Sequence, residues 1–480
     1  MKPSSGQRRA PIELAAGSLG PMAVTIFVVA AAAPLLVMAG LAPLAIQFGG
    51  IGAPSGYLIA GVTLAIFASG FTAMAKHVRN AGAFYAYIAR GLGPTAGIVA
   101  AVVALVSYNA MEIGMFGAFG GFAHLTVGAL TGFDAPWWVW ALAGVVLVWF
   151  LGSRSIHVGS QFLITLLAAE TGVLVLLAVA VLIKGGAHGL SLTSFTPAHT
   201  FTPALGAVLT LAFGAFMGFE STALYREEAK TPDRTIPRAT YAAVAFLALF
   251  YTFMVWIAVQ AYGPDAAQNA AQTNPAEMYF IATQRYVGEW ARTLMEVLIL
   301  TSIIASLLAF HNAITRYGFA LAREGILPTS YSKLHPRHLS PYRASADQSL
   351  LAAAVIVVFA ALHMDPITQL LLWVNSPGAF GIVLLQVVVA VAVLAFFRRN
   401  RRGQSPWRVV VAPSIAAVLL ATALALMVKN VALLTGASPA VNIVVLASIP
   451  ATVIIGLLVA LRLKRSRPDV YRAVGCREVV

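Results

Sequence analysis

Long apolar stretches separated by short polar connections dominate the sequence. Twelve of these stretches approach or exceed the length of about 20 apolar residues that a transmembrane helix needs. We number them segments 1 to 12. They cover residues 22–48, 52–75, 95–127, 136–152, 158–184, 204–225, 238–262, 292–322, 346–364, 367–397, 407–434 and 438–461. The pattern therefore predicts an all-α, polytopic membrane protein with twelve transmembrane helices.

The composition excludes a water-soluble fold. Of the 480 residues, 60% are hydrophobic and 10% are charged, whereas soluble domains are about one-quarter charged. A soluble protein could not keep that much apolar surface away from water. A soluble enzyme, a disordered chain and a secreted disulfide scaffold are therefore excluded. The single cysteine, Cys476, rules out an internal disulfide and a cysteine metal cluster.

The positive charges predict the orientation of the chain in the membrane. If the N-terminus is cytoplasmic, 27 of the 31 lysines and arginines are cytoplasmic, and Lys184, Arg285, Arg292 and Lys429 lie outside. This distribution follows the positive-inside rule and predicts a plasma-membrane protein with both termini in the cytoplasm. The net charge of +14 is therefore interpreted as an orientation signal facing anionic lipid, not as nucleic-acid binding. The polar, basic start predicts no cleaved signal peptide.

Two segments contain residues that interrupt a helix. Segment 1 has Pro34 after four consecutive alanines, and proline removes a backbone donor and clashes with the carbonyl four residues back. Segment 6 has three glycines followed by Glu220. Because an interrupted helix in hydrocarbon must line a cavity or be buried in protein, these segments predict a midplane binding site between two five-helix halves. A kink without function is the alternative for each segment.

Four glutamates lie inside apolar segments: Glu112, Glu170, Glu220 and Glu296. A charge at the bilayer centre costs at least ~2.5 kcal/mol, so these groups should face the interior of the bundle. A carboxyl in that environment favours its neutral form and can carry a proton. We expect Glu170, Glu220 and Glu112 to be coupling residues, whereas Glu296 lies near the outer face and is expected to be structural. The alternative for each is a protonated carboxyl that only bonds a neighbouring helix.

Two weaker signals concern segment 8 and the connection before it. Segment 8 carries Thr301, Ser302 and Ser306, whose hydroxyls could line a sodium site, although such hydroxyls usually bond a carbonyl of their own helix. No other metal site and no cofactor is predicted. The outer connection, residues 261–291, mixes aromatic and charged residues at helical spacing and predicts either a partial lid at the membrane interface or a solvated connector.

Three sequence motifs are recognisable. One runs from FGAFMGFES at residues 213–221 through REEAKTPDRTIPRA at 226–239. The second is NAGAFYAY at 80–87, followed by three glycines up to residue 97, and the third is NAITRYGFALAREGILP at 312–328. Their types and order resemble those of amino acid permeases, which belong to the amino acid–polyamine–organocation superfamily. With the twelve segments, the resemblance covers nearly the whole chain.

The resemblance implies a leucine-transporter-like fold, in which two five-helix repeats of opposite orientation are followed by two further helices. On this sequence the first repeat is residues 22–184, the second is 204–397, and the last two helices lie in 407–461. Residues 1–21 and 462–480 are then cytoplasmic ends. Segments 1 and 6, the first of each repeat, are the interrupted helices.

The resemblance also implies where a substrate binds. In the family, the substrate carboxylate lies at the break in segment 1 and the amine contacts carbonyls of segments 1 and 6. Carried over by position, the expected binding residues are Ala32, Ala33, Pro34, Phe216, Gly218, Phe219 and Glu220. The chain departs from the family twice: Ala32-Ala33-Pro34 replaces the usual Gly-Ser/Ala-Gly, and Glu170 stands where several proton-coupled relatives have lysine.

The function predicted is secondary active transport of amino acids or related amines by alternating access, with protons as the favoured coupling ion. A sodium-coupled carrier or an exchanger of the same fold is one alternative, and a solute or ion channel is another. An enzyme is not expected, because the sequence has no HExxH, GxSxG or P-loop motif. The partners expected are the small-molecule substrate, a proton or sodium ion, and membrane lipid.

Overall fold

The fold is all-helical throughout the part of the chain that can be described. The computed structural model describes residues 17, 19–78, 82–153, 160–336 and 340–475, and it describes only the backbone of 83, 160–163, 224 and 227. Cys476 and the first two residues of the NAGAFYAY motif lie outside these ranges. Within them, the one pairing of extended backbone is an isolated bridge between Leu19 and Ala229.

The helices follow the predicted segments closely. In segment order, from 1 to 12, they are Pro21–Ala31 continued by 34–49, Ala53–Ala75, Pro94–Thr131, Trp137–Gly152, Ser160–Ile183, Leu205–Ala215 continued by a 3₁₀-helix Phe219–Glu228, Pro232–Tyr262, Glu289–Arg323, Tyr342–Ala361, Pro366–Phe397, Trp407–Lys429 and Pro439–Ser466. Several begin with proline, whose missing N–H would have had no partner in the first turn anyway.

The described residues contain ten helical stretches long and apolar enough to cross a membrane. One of the ten is the 55-residue stretch Pro21–Ala75, which joins segments 1 and 2. The segment 4 helix is apolar as well but has only 16 residues. The prediction of an all-α, multi-pass membrane protein is therefore confirmed.

The interrupted segments form the centre of the bundle and the C-terminal segments form its outer side. In segment 6, 89% of the most apolar stretch is buried, whereas in segment 12 only 22% is buried. Large apolar side chains on segment 12, such as Ile443 and Val444, are exposed on the surface of the protein. Such a surface suits contact with lipid, so segment 6 is surrounded by protein while segment 12 faces the membrane.

The outer connection between segments 7 and 8 folds into two short helices, Pro264–Thr273 and Met278–Tyr286. The first helix is tied to segment 1, because the Gln268 side-chain amide donates to the carbonyl of Gln47 (3.1 Å). The second is tied to segment 7, because the Tyr279 hydroxyl donates to the carbonyl of Met254 (3.0 Å). The connection is thus a helical cap attached to the bundle rather than a free loop.

Candidate functional site

Segment 1 breaks at the position that the sequence predicted. Its first helix ends at Ala31, and Ala33 has φ +44° and ψ 72°, in the left-handed region. Pro34 then begins the second helix, where its missing N–H costs nothing. Proline also disfavours helical geometry in the residue before it, which explains why the break falls on Ala33. A left-handed alanine costs roughly 1–2 kcal/mol, so the break stores backbone strain.

Segment 6 breaks beside the first break. Its helix ends at Ala215, and Gly218 has φ +107° before the 3₁₀-helix begins at Phe219. A Cβ atom placed on Gly218 would lie 3.3 Å from the Cβ of Ala31. The two breaks therefore touch each other, and glycine at this position meets both the backbone and the packing requirement.

Hydroxyl groups of neighbouring segments satisfy the carbonyls freed at the first break. The Ser306 hydroxyl of segment 8 donates to the carbonyl of Ala31. The Tyr251 hydroxyl of segment 7 donates to the carbonyl of Ala32 (3.1 Å). These contacts hold segments 7 and 8 against the break, where an unpaired carbonyl in hydrocarbon would cost several kcal/mol.

Glu170 lies buried beside the start of the second helix of segment 1. The Ser302 hydroxyl and the backbone N–H of Leu35 face its carboxyl group. One carboxyl oxygen and the Ser302 hydroxyl have no hydrogen-bond partner at bonding distance among the described residues. The positive end of a helix dipole favours a negative group at this position. The carboxyl oxygen of Glu170 that lacks a partner can therefore accept a proton or a cation.

Glu220 lies at the second break and has a complete set of partners. Its carboxyl accepts hydrogen bonds from the Tyr108 hydroxyl of segment 3 (2.9 Å) and from the N–H of Gly218 (3.2 Å). The residue is 0% exposed. Glu220 therefore ties the broken part of segment 6 to segment 3.

A small cavity lies directly against the two breaks. It is lined by Ala31, Ala32, Ala33, Leu36, Val37, Leu41, Met111, Met115, Gly214, Met217, Ser306, Phe310, Leu371 and Asn375. The lining is mostly apolar, and its polar side chains are Ser306 and Asn375. A pocket with an apolar wall and a few polar groups is the usual form of a small-molecule site.

Five of the seven expected binding residues do not line this cavity. The Phe216 ring packs on Tyr251 with 5.6 Å between centroids. The Phe219 ring packs on Phe67 with 6.1 Å between centroids. Gly218 and Glu220 form the break itself. The structure thus brings Ala32 and Ala33 to the cavity, and from segment 6 it brings Gly214 and Met217 instead; Pro34 starts the adjoining helix.

The three hydroxyls considered for sodium have different surroundings. Thr301 donates to the carbonyl of Leu298 on its own helix (2.9 Å). Ser302 faces Glu170, and Ser306 holds the break of segment 1. Among the described residues, no group of three or more histidine, cysteine, aspartate or glutamate side chains could hold a metal ion.

Glu112 and Glu296 lie away from the breaks. Glu296 forms an ion pair with Arg292 near the start of the segment 8 helix (2.7 Å), which suits the structural role expected of it. Glu112 is buried beside His311, with 3.3 Å between Oε1 and Nδ1. We did not single out His311 from the sequence, although an ionisable residue within an apolar segment is the signal that identified the glutamates.

A sequence profile of the family described as "Amino acid permease" matches residues 23–472 of the chain. The chain belongs to the amino acid permease family. The resemblance inferred from the motifs is therefore confirmed, and this permease is a transporter of the amino acid–polyamine–organocation superfamily rather than an enzyme.

The names of three relatives of this permease refer to three different substrates. The low-affinity putrescine importer PlaP of Escherichia coli (strain K12) is 22% identical over 364 residues, which are 73% of this chain and 75% of the relative. The methylthioribose transporter of Bacillus subtilis is 22% identical over 380 residues, 75% of this chain and 76% of the relative. The branched-chain amino acid permease BcaP of Bacillus subtilis is 26% identical over 184 residues, 38% and 37% of the two chains.

Proposed function

We propose that this permease is a secondary active transporter that moves amino acids or related amines across the plasma membrane by alternating access. The observation that carries the proposal is the contact between the two helix breaks, at Ala31 and Gly218, beside a cavity deep in the bundle. Broken helices at the membrane midplane are the usual place of substrate binding in secondary transporters.

The proposed topology has twelve transmembrane helices with both termini in the cytoplasm. The ten long stretches give twelve helices when the longest stretch is counted as two helices and one shorter apolar helix is added. The stretch Pro21–Ala75 is 55 residues long, about twice what one span needs, and it turns at Gly50–Gly52. The helix Trp137–Gly152 is the shorter apolar helix that completes the twelve. The breaks then fall in the first helix of each five-helix half, as an inverted leucine-transporter-like repeat requires.

The proposed coupling ion is the proton, with Glu170 as its main carrier and Glu220 and Glu112 as further coupling residues. Glu170 supports this assignment because it is buried, faces the break of segment 1, and keeps one carboxyl oxygen without a hydrogen-bond partner among the described residues. A sodium ion held by Glu170 and Ser302 is the alternative, since both would offer it oxygen atoms.

Within this class, the break in segment 1 favours amines over α-amino acids. Pro34 has no N–H, the N–H of Ala33 is bonded to the carbonyl of Ala30 (3.1 Å), and the N–H of Leu35 faces Glu170. Positions 33, 34 and 35 of the break therefore offer no free N–H to a substrate carboxylate. The carbonyls of Ala31 and Ala32 still have a second lone pair each for an ammonium group. The name of the relative PlaP, a putrescine importer, agrees with this preference.

Transport by the purified protein in lipid vesicles tests the proposal. Vesicles are preloaded with unlabelled putrescine, or with an unlabelled amino acid, and uptake of the same labelled compound is measured. A carrier shows saturable uptake that the internal substrate stimulates, and we expect the stimulation to be stronger for putrescine. Uptake that neither saturates nor responds to internal substrate would identify a channel and contradict the proposal. Stronger stimulation by amino acids would overturn the preference for amines only.

A further inference from the structure

A second buried polar network lies where segments 3, 8 and 9 meet. The His311 ring contacts the Glu112 carboxyl through Nδ1 (3.3 Å) and the Ser345 hydroxyl through Nε2 (2.7 Å). The Gln348 amide donates to the other oxygen of Glu112. Glu112 and His311 are each 1% exposed. Two ionisable groups are thus buried in direct contact, outside the helix breaks.

Segment 4 closes the network on its remaining side. A Cβ atom on Gly152 would lie 2.6 Å from Cδ2 of the His311 ring. Glycine at this position therefore lets segment 4 pack directly on the imidazole. A site closed by four segments is shielded from lipid, as an ionisable pair in a membrane must be.

No lysine or arginine contacts the pair within the described residues. Ionisable residues close to the pair along segments 3, 8 and 9 include Tyr108, Arg316, Tyr317, Arg343 and Asp347, of which Arg343 and Asp347 are exposed. Tyr108 donates to Glu220. Arg316 forms an ion pair with Glu228 (3.0 Å), and Asp347 accepts from the Tyr331 hydroxyl (2.6 Å). The charge of Glu112 is therefore balanced locally only when His311 or Glu112 itself carries an additional proton.

The contacts of His311 with Glu112 and with Ser345 can both be kept when the network gains or loses one proton. In the unloaded state, His311 donates from Nδ1 to the Glu112 carboxylate and accepts at Nε2 from the Ser345 hydroxyl. In the loaded state the added proton lies on Nε2, which donates to Ser345, and the hydroxyl turns to accept. The charge of the pair changes from −1 to zero. A hydroxyl that can donate or accept makes both states possible at the same geometry.

The pair lies between a cleft and the central cavity. The cleft is lined by Gln348 and Asp347 of segment 9, by Asn109 of segment 3 and by Tyr331. It lies at the end of segment 9 that the positive charges place in the cytoplasm. On the other side, Met111 and Phe310, the chain neighbours of Glu112 and His311, line the central cavity.

We propose that Glu112 and His311 together form a proton-binding site that exchanges one proton with the cytoplasm in each transport cycle, through the cleft at Gln348. The inference rests on the proposed function as a proton-coupled transporter, and it assigns a coupling step to a residue pair separate from Glu170. Ser345 is a positioning residue, because its hydroxyl switches direction with the proton.

The test counts protons moved per substrate in vesicles that contain a pH-sensitive dye. It compares the wild type with Glu112→Gln, His311→Gln and the double variant, and Glu296→Gln is the matched control. Each variant in the pair should move one proton fewer per substrate, while exchange of labelled for unlabelled substrate continues. The double variant should lose no more than either single one, because the pair shares one proton. The control should keep the wild-type ratio.

The outcomes separate this inference from the proposed function. Wild-type proton ratios in Glu112→Gln and His311→Gln would overturn the inference and leave the carrier mechanism intact. Loss of two protons in the double variant would also overturn it, since the site would not be shared. An absence of substrate exchange in the wild type would instead contradict the proposed function. The double variant controls for misfolding, because its two glutamine side chains can form a hydrogen bond with each other in place of the contact between Glu112 and His311.

Discussion

Substitution of Glu170 is the most direct test of the proposed proton coupling. It has one oxygen without a partner among the described residues and faces Ser302 and Leu35. Glu170→Gln keeps the shape and removes the exchangeable proton. We expect uptake driven by a pH gradient to fall by about 5- to 150-fold, the usual range of coupling energies of 1–3 kcal/mol. The melting temperature should change little.

The measurement for Glu170→Gln is initial uptake at a series of external pH values. Glu296→Gln serves as the control because that carboxyl forms an ion pair near the start of the segment 8 helix. Unchanged and still pH-dependent uptake by Glu170→Gln would remove Glu170 from the mechanism.

Two neighbouring residues of segment 6 should respond differently to truncation. Met217 lines the cavity, whereas Phe216 packs on Tyr251. Met217→Ala should weaken substrate affinity, and because the side chain is buried it should also destabilise the protein by about 2–5 kcal/mol. Phe216→Ala should destabilise the protein by about 3–5 kcal/mol, the usual cost of a buried phenylalanine, and should change affinity little, because its ring packs on Tyr251 and does not line the cavity. Binding and melting curves of both variants distinguish the two effects. Equal affinity in all three proteins would mean that the substrate binds elsewhere.

At the scale of the helix, Pro34 decides which chemical group the break can hold. The resemblance implies glycine at this position, and glycine would restore a backbone N–H. Pro34→Gly should therefore raise affinity for α-amino acids relative to amines of the same length. A hydrogen bond to a charged group contributes about 1.5–3 kcal/mol, so the preference should shift by about tenfold or more. Competition between an amino acid and its decarboxylated amine measures the shift, and an unchanged preference would contradict this account of the break.

The breaks could be predicted from sequence because their causes are local. Pro34 removes a backbone donor and disfavours helical geometry in Ala33, and Gly218 suits a left-handed turn by itself. The side chains around the cavity could not be predicted in the same way. Whether Phe216 or Met217 faces the cavity depends on how the segment 6 helix passes into the 3₁₀-helix that follows it. A rotation of the chain by one residue would exchange the two side chains.

The buried network around Glu112 marks another limit of sequence reasoning. An acidic residue in an apolar segment predicts a functional or paired group, but its partner comes from a different segment. His311 is 199 residues away in the chain, and Gln348 is 236 residues away. Their meeting depends on how segments 3, 8 and 9 pack together. The all-helical membrane architecture could be predicted from the sequence, whereas the partners of Glu112 are visible only in the packed structure.

At the scale of the whole molecule, contacts at the predicted cytoplasmic end connect segments 6 and 8. Arg316 and Glu228 are each 8% exposed in their side chains and form an ion pair of 3.0 Å. The Arg316 guanidinium also lies 5.0 Å from the ring centroid of Tyr225. The backbone bridge between Leu19 and Ala229 adds the N-terminal end of the chain. These contacts tie segment 6, segment 8 and the N-terminal end of the chain together at one end of the bundle.

Removing this ion pair should favour the state that is open to the cytoplasm. Breaking a buried pair by changing one partner typically costs about 3–5 kcal/mol, so Glu228→Gln should destabilise the closed side by an amount of that order. The measurement is the labelling rate of a cysteine at Asn375, a cavity residue, in a protein in which Cys476 is replaced by serine. Cytoplasmic reagent should label the cysteine faster in Glu228→Gln. An unchanged rate would mean that other contacts keep this side closed.

The shortness of the segment 4 helix has a consequence for the surrounding membrane. Its 16 residues rise roughly 24 Å at about 1.5 Å per residue, less than the hydrocarbon thickness of about 30 Å. The bilayer next to this helix must become thinner, or the tryptophans near residue 137 must hold the membrane interface closer to the bilayer centre. Because Gly152, at the other end of this helix, rests on His311, we expect the acyl-chain length of the host bilayer to alter the packing around the buried histidine.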